Sequence, residues 1–181
     1  MKNKGLLIFI TSVVAASIVV SVIATGCSKQ TEDAEGDDVP PGELVELLCE
    51  DVDVPDYEVI PLDEENFAYY AFIDYEEGMS AVAADALINI TPHSLVVIHS
   101  SDGNGKDIAG RIVSAADPNK WISTGSDIVY VGYTDHYVVL VMSFLDVADG
   151  IIENFKTIAN DLNDGEYNIY TATNPRYDEN I

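Results

Sequence analysis

Tyr137-Val138-Val139-Leu140-Val141-Met142 decides the fold: six consecutive apolar residues that read as a strand and have to be buried. A second run, Leu95-Val96-Val97-Ile98, makes the same demand. The chain is strongly acidic, which by itself would fit disorder, but a disordered chain has nowhere to hide these two runs. Working outward from the first, Asp127 to Tyr133 and His136 to Met142 form a strand pair joined across Thr134-Asp135. Working outward from the second, Ala81 to Ile88 and Ser94 to His99 form strands around a turn at Pro92-His93.

Helices fill the gaps. Asp102-Gly103-Asn104-Gly105 breaks the strand, and a helix runs from about Lys106 to Ala116, with Ile108 and Ile112 one turn apart, Asn104 placed as its cap and Asp117-Pro118 as its stop. The clearest periodicity is Val147, Ile151, Phe155, Ile158 and Leu162, with Asp146 and Asp149 in the first turn, where the helix dipole favours acids. Near the other end, Leu44, Leu47 and Leu48 share one side of a helix that starts at Glu43 and stops before Pro55. Glu64 to Tyr70 fits either a short helix or a turn. The expectation is a small α+β fold, a mainly antiparallel sheet with helices on one face. It occupies residues 42–170, and residues 171–181 read as a loose tail.

The N-terminus carries an address. Lys2 and Lys4 precede an apolar stretch from Leu6 to Ile23, which ends in Ala24-Thr25-Gly26-Cys27. Small residues before a cysteine let a peptidase grip extended backbone at the membrane surface, after which the thiol is acylated. The expectation is a signal peptide over 1–26 and a lipidated Cys27 that anchors the protein to the outer face of the cell membrane. Two acyl chains hold stably where one is marginal. Ala24 departs from the branched apolar residue usual there, and the apolar run is longer than an ordinary signal core. An uncleaved membrane helix and plain secretion are therefore the alternatives. Residues 27–41, from the acid-rich Thr31-Glu32-Asp33 to Pro40-Pro41, read as a flexible tether.

Removing the signal leaves six basic residues against thirty-two acidic ones, a formal net charge of −26. Such a surface repels phosphate backbones and anionic headgroups, which excludes nucleic acid and favours cations or basic proteins as neighbours. With Cys27 acylated, Cys49 is the one remaining thiol and no internal disulfide forms. It reads as a small core residue.

Candidate chemistry thins out on inspection. Counted as a calcium loop from Asp102, the fifth, sixth and twelfth positions fall on Lys106, Asp107 and Val113, so oxygen ligands, glycine and glutamate are all missing where they are needed. His93, His99 and His136 are too few for a demonstrated metal site. There is no nucleophile elbow, no zinc-protease helix and no Cys-x-x-Cys pair, and no cofactor is expected. The aromatic residues leave the broadest hint: Tyr69, Tyr70 and Tyr75 lie among acids, while Tyr130, Tyr133 and Tyr137 cluster at the hairpin and Trp121 precedes it. Exposed, these seven would form a surface for a peptide, a basic partner or a sugar; otherwise they complete the core and its rim.

Asn89-Ile90-Thr91-Pro92-His93-Ser94-Leu95-Val96-Val97, Ala116-Asp117-Pro118-Asn119-Lys120-Trp121-Ile122 and Val139-Leu140-Val141-Met142-Ser143 resemble segments of a domain of unknown function found in small lipoproteins of Gram-positive anaerobes, clostridia and their gut relatives. The closing helix with Ile151-Ile152-Glu153-Asn154-Phe155 resembles it too. The resemblance implies location and domain limits, and no catalytic residues. Together these readings point to a noncatalytic, lipid-anchored module that binds an envelope protein or peptide, with a solute- or cation-binding lipoprotein as the alternative and an envelope enzyme third.

Overall fold

The computed structural model describes residues 39–88, 90–121 and 123–175; the expected signal segment, the expected lipidation site Cys27, most of the expected tether and residues 176–181 lie outside them. Ten elements follow in chain order: α1 (Pro41–Leu48), β1 (Tyr57–Leu62), α2 (Phe67–Ala71), β2 (Met79–Ala86), β3 (Ser94–Ser100), α3 (Gly105–Ala115), β4 (Ile128–Tyr133), β5 (Tyr137–Ser143), α4 (Leu145–Leu162) and β6 (Asn168–Thr173). The strands form one sheet in the order β1-β2-β3-β5-β4-β6, with every neighbour antiparallel. The α+β class and the antiparallel sheet are thus as the patterns require.

The helices cover both faces of that sheet instead of one. α2 and α3 close the face that carries Val96, Ile98, Val129, Val131, Leu140 and Met142. α1 and α4 close the other, over Leu95, Val97, Val139 and Val141. The cause lies in the two runs themselves. A strand with one wet face alternates apolar and polar residues, whereas all seven residues of β5 are buried, which needs a layer on each side.

Two boundaries move. Pro41 is the first residue of α1, where a fixed φ and a missing N–H suit the helix start, so the folded part begins ahead of Gly42. Residues 171–173 are no tail: they complete β6, and Asn174 is buried, its amide donating to the Ser126 carbonyl at 2.9 Å and to Asn119 Oδ1 at 3.2 Å. β1 was equally hidden by Pro61, which an edge strand tolerates because one side of its backbone needs no partner. At α3, Asn104 holds the cap position but makes no side-chain capping bond; its Oδ1 accepts instead from Ser100 Oγ at 2.7 Å.

Among the described residues no helix is long and apolar enough to cross a membrane.

Candidate functional site

Asp85 and Ser94 face each other across β2 and β3, in register as a cross-strand pair, at the end where the sheet opens into the β2–β3 loop. Into this pair reaches Lys120 from the segment between α3 and β4. Its Nζ lies 3.4 Å from both Asp85 carboxylate oxygens and donates to Ser94 Oγ at 2.9 Å. Three rings surround the same ammonium, with centroids at 5.6 Å for Tyr69, 5.3 Å for Tyr70 and 5.1 Å for Trp121, each within the range of a cation–π contact. Tyr69 and Tyr70 meet edge to face, 4.8 Å apart. The outcome is an aromatic box closed by the protein's own lysine.

Burial sets the electrostatics of the box. Lys120 is almost wholly enclosed, which pulls its pKa down, while Asp85 opposes the shift by charge and hydrogen bond. Desolvation raises the Tyr70 phenol, helped by the nearby charges of Asp85 and Glu58.

The expected seven-residue aromatic surface does not assemble. Tyr69, Tyr70 and Trp121 gather at the box, and of these Tyr69 stands out at 66 % exposed. Tyr75 packs edge-on against Phe67 at 5.6 Å. Tyr130 lies on the α4 face, donating to Asp149 Oδ1 at 2.7 Å, and burial together with that bond pushes its pKa up to about 12. Tyr133 is buried beside Tyr170, and Tyr137 is buried with its hydroxyl donating to the Val39 carbonyl at 3.1 Å. Alternation explains the scatter: odd and even positions of one strand face opposite layers, so Tyr130 and Tyr133 were never neighbours in space.

Around the box the surface is unusually apolar. The β2–β3 loop exposes Leu87, Ile88 and Ile90, the last at 72 %. Ser94 pairs with Met142, so the exit of β5 through Phe144 and Leu145, both exposed, leaves the sheet beside that loop. The opposite end of β5 lies about 20 Å away, where the Tyr137 hydroxyl donates to the Val39 carbonyl. Toward the end of β2 away from Asp85, where Met79, Ser80 and Ala81 line one of them, two adjoining recesses of about 540 and 510 Å³ share Glu64 and Tyr75. Their walls carry Asp63, Glu64, Glu65, Asp74 and Glu77 and no basic side chain.

The histidines divide between two ends. His93 and His99 do share a strand face, but at opposite ends of β3. His99 stacks on His136, whose Nδ1 meets Asp164 at 2.6 Å. Burial would raise the Asp164 carboxyl, but bonds from Thr134 and from the ring and backbone of His136 outweigh it and hold the pKa below the usual range. Among the described residues no cluster of three or more His, Cys, Asp or Glu is arranged to hold a metal ion. Cys49 is half-buried, and desolvation raises its thiol pKa, which disfavours the thiolate a nucleophile needs.

His93 is fully buried with Nδ1 3.2 Å from Ser143 Oγ and no partner for Nε2. Desolvation pushes its pKa down to about 4, opposed by Asp85 and assisted by Lys120. Between pH 6.5 and 4 the unfolded chain therefore binds a proton that the folded one refuses, and stability falls as the pH falls through that window. We expect a loss of up to about 3 kcal/mol between pH 7 and pH 4 from this residue. Urea unfolding followed across the window checks it, with His93→Gln flattening the slope; a His93→Gln profile parallel to the parent's would refute the assignment.

Comparison with family models, with characterised proteins and with solved structures finds no match to this chain.

Proposed function

We propose that this chain is a lipid-anchored, extracytoplasmic interaction module, tethered through Cys27 and noncatalytic, whose partner is an envelope protein or peptide carrying apolar and basic groups. The observation that carries the reading is polarity of the domain: exposed Leu87, Ile88, Ile90, Phe144, Leu145 and Tyr69 crowd the end opposite Val39. Isolated exposed apolar residues need no explanation, but several crowded at one end in so acidic a chain mark a surface kept for contact. The acidity of the chain adds the charge preference, since a basic flank of the partner is attracted to it. The location is supported by the apolar N-terminal stretch that ends in Ala24-Thr25-Gly26-Cys27.

A photo-crosslinking residue at Ile90, in the full chain in its own envelope, should trap a partner that Ile88→Glu or Tyr69→Ala abolishes, while the same probe at Lys156 on α4 traps none. Equal trapping from both positions overturns the interface. In parallel, Cys27→Ala should move the chain from the membrane fraction to the soluble one; unchanged membrane retention overturns the anchor without touching the interface.

A further inference from the structure

A buried ring joins the two parts of the apolar end. The β2–β3 loop, with Leu87, Ile88 and Ile90 exposed, is closed at its root by the Ala86 amide, which donates to the His93 carbonyl at 3.1 Å. From that root the His93 side chain turns inward, and its Nδ1 lies 3.2 Å from Ser143 Oγ at the exit of β5. Ser143 leads directly into the exposed Phe144 and Leu145. Asp127 steadies this exit, its amide donating to the Ser143 carbonyl at 3.0 Å and its carboxylate accepting from the Leu145 amide at 3.1 Å. Within the loop, the Leu87 amide donates to the Asp56 carbonyl at 2.9 Å and the Thr91 amide to that of Ile88 at 3.0 Å.

The ring suits this place while it is neutral. His93 is fully buried, and no described group bonds its Nε2. An imidazolium carries a hydrogen on both nitrogens, so protonation leaves a buried donor unanswered. Asp85 favours the new charge, but its carboxylate already faces Lys120 at 3.4 Å, and the Lys120 ammonium opposes a second cation. From β1 the neighbour is the Tyr57 ring, 6.3 Å away between centroids. Behind it stand the Cys49 thiol and Glu46 of α1, which together with burial raise the Tyr57 pKa and keep the phenol neutral. Once the loop lifts, water solvates the imidazolium, and the open form takes the proton that the closed form refuses.

We propose that His93 is an acid-sensitive tie of the apolar end: proton uptake by its ring frees the β2–β3 loop from the exit of β5 and parts Leu87, Ile88 and Ile90 from Phe144 and Leu145. The loop yields before the sheet does, because β5 is buried along its whole length while the loop is exposed and held by few bonds. Acidification outside the cell then releases a bound partner. Opening of the loop is a property of the domain alone; release of the partner rests on the interaction surface proposed above.

The test follows amide exchange in the full chain in detergent micelles from pH 7 to pH 4, each rate corrected for intrinsic exchange at that pH. Protection at Ala86, Leu87 and Thr91 should fall about a hundredfold, as one proton supplies when a ring of pKa about 4 returns to 6.5 on opening. The fall should be insensitive to dilute urea, since a local opening exposes little surface. His93→Gln should make protection at these amides independent of pH, and Lys120→Met, which removes the opposing cation, should move the fall to higher pH. Unchanged protection across the range, a His93→Gln profile like the parent's, or the urea dependence of the β5 amides at all three positions overturns the tie. Partner trapping at Ile90 should decline with the protection, and trapping undiminished at pH 4 overturns the release. Opening of the loop with no trapping at any pH supports the tie and counts against the interaction surface.

Discussion

Gly105→Ala is expected to destabilise the domain by about 3 kcal/mol, at the upper end of what overpacking costs. A Cβ at this position would sit 2.4 Å from the Thr134 carbonyl oxygen, 2.9 Å from that of Asp135 and 3.2 Å from that of Tyr137. All three belong to backbone at the β4–β5 turn, so no rotamer change relieves the clash. The glycine is there because α3 starts by docking on that turn: its amide donates to the Asp135 carbonyl at 2.8 Å. Alanine pushes the helix start away, stretching this bond and lifting Ile108 and Ile112 from the core. Gly110 is the matched control, since open space surrounds it within the same helix. There Gly110→Ala should stabilise by about 0.5 to 1 kcal/mol through helix propensity. Thermal melts of the two variants should move in opposite directions, and a Gly105→Ala midpoint within 2 °C or so of the parent would show that the turn yields more easily than its geometry implies.

That contact illustrates what was legible and what was not. The start of α3 was readable from Ile108, Ile112 and the glycines before it, because helical period and turn residues are local signals. The carbonyls it meets lie about thirty residues further on, at Thr134 and Asp135, and nothing local announces them. The same division runs through the sheet. β3 and β5 are readable as strands from their apolar runs, and their unbroken character demands cover on both faces, but a single strand does not say which helices supply it. β6 was missed because Asn, Thr and Tyr read as polar surface, although Tyr, Ile and Thr are also the residues that suit a half-buried edge. Pro61 masked β1 for the opposite reason, a breaker that is harmless at an edge.

The aromatic box was legible only in pieces. Tyr69, Tyr70 and Trp121 were singled out as rings, but Lys120, which organises them, gave no signal beyond being a rare cation. Its partners Asp85 and Ser94 stand 35 and 26 residues away, and only the pairing of β2 with β3 makes them one site. Whether a ring is surface or core depends on what covers it: Tyr133 and Tyr137 lie on opposite faces of a sheet that helices close on both sides, while Tyr69 stands on the short helix α2 and stays out.

Lys120→Ala is the second large expected effect, a loss of about 3 kcal/mol, at the low end for breaking a buried pair because Asp85 keeps some access to water. Three contributions vanish together: the ion pair with Asp85, the hydrogen bond to Ser94 and the cation–π contacts with three rings. The larger penalty is what remains, a carboxylate that has lost its counter-charge inside a ring of aromatics. Lys120→Met separates packing from charge, because it keeps an apolar stem against the rings; it should cost about 2 kcal/mol. Adding Asp85→Asn to Lys120→Met removes the stranded charge and should recover most of that loss, since a buried pair replaced at both ends is often close to neutral. Trp121 is the single tryptophan and sits in the box, so its fluorescence reports both unfolding and local opening. If the double variant is no more stable than Lys120→Met alone, the stranded carboxylate is not what the lysine answers, and the box is held by packing of its rings. The outcome also bears on the apolar end of the domain: a lysine that pins the segment after α3 to the start of β3 also holds the exposed Tyr69 ring, so loss of the pin should weaken partner trapping at Ile90 even where the fold survives.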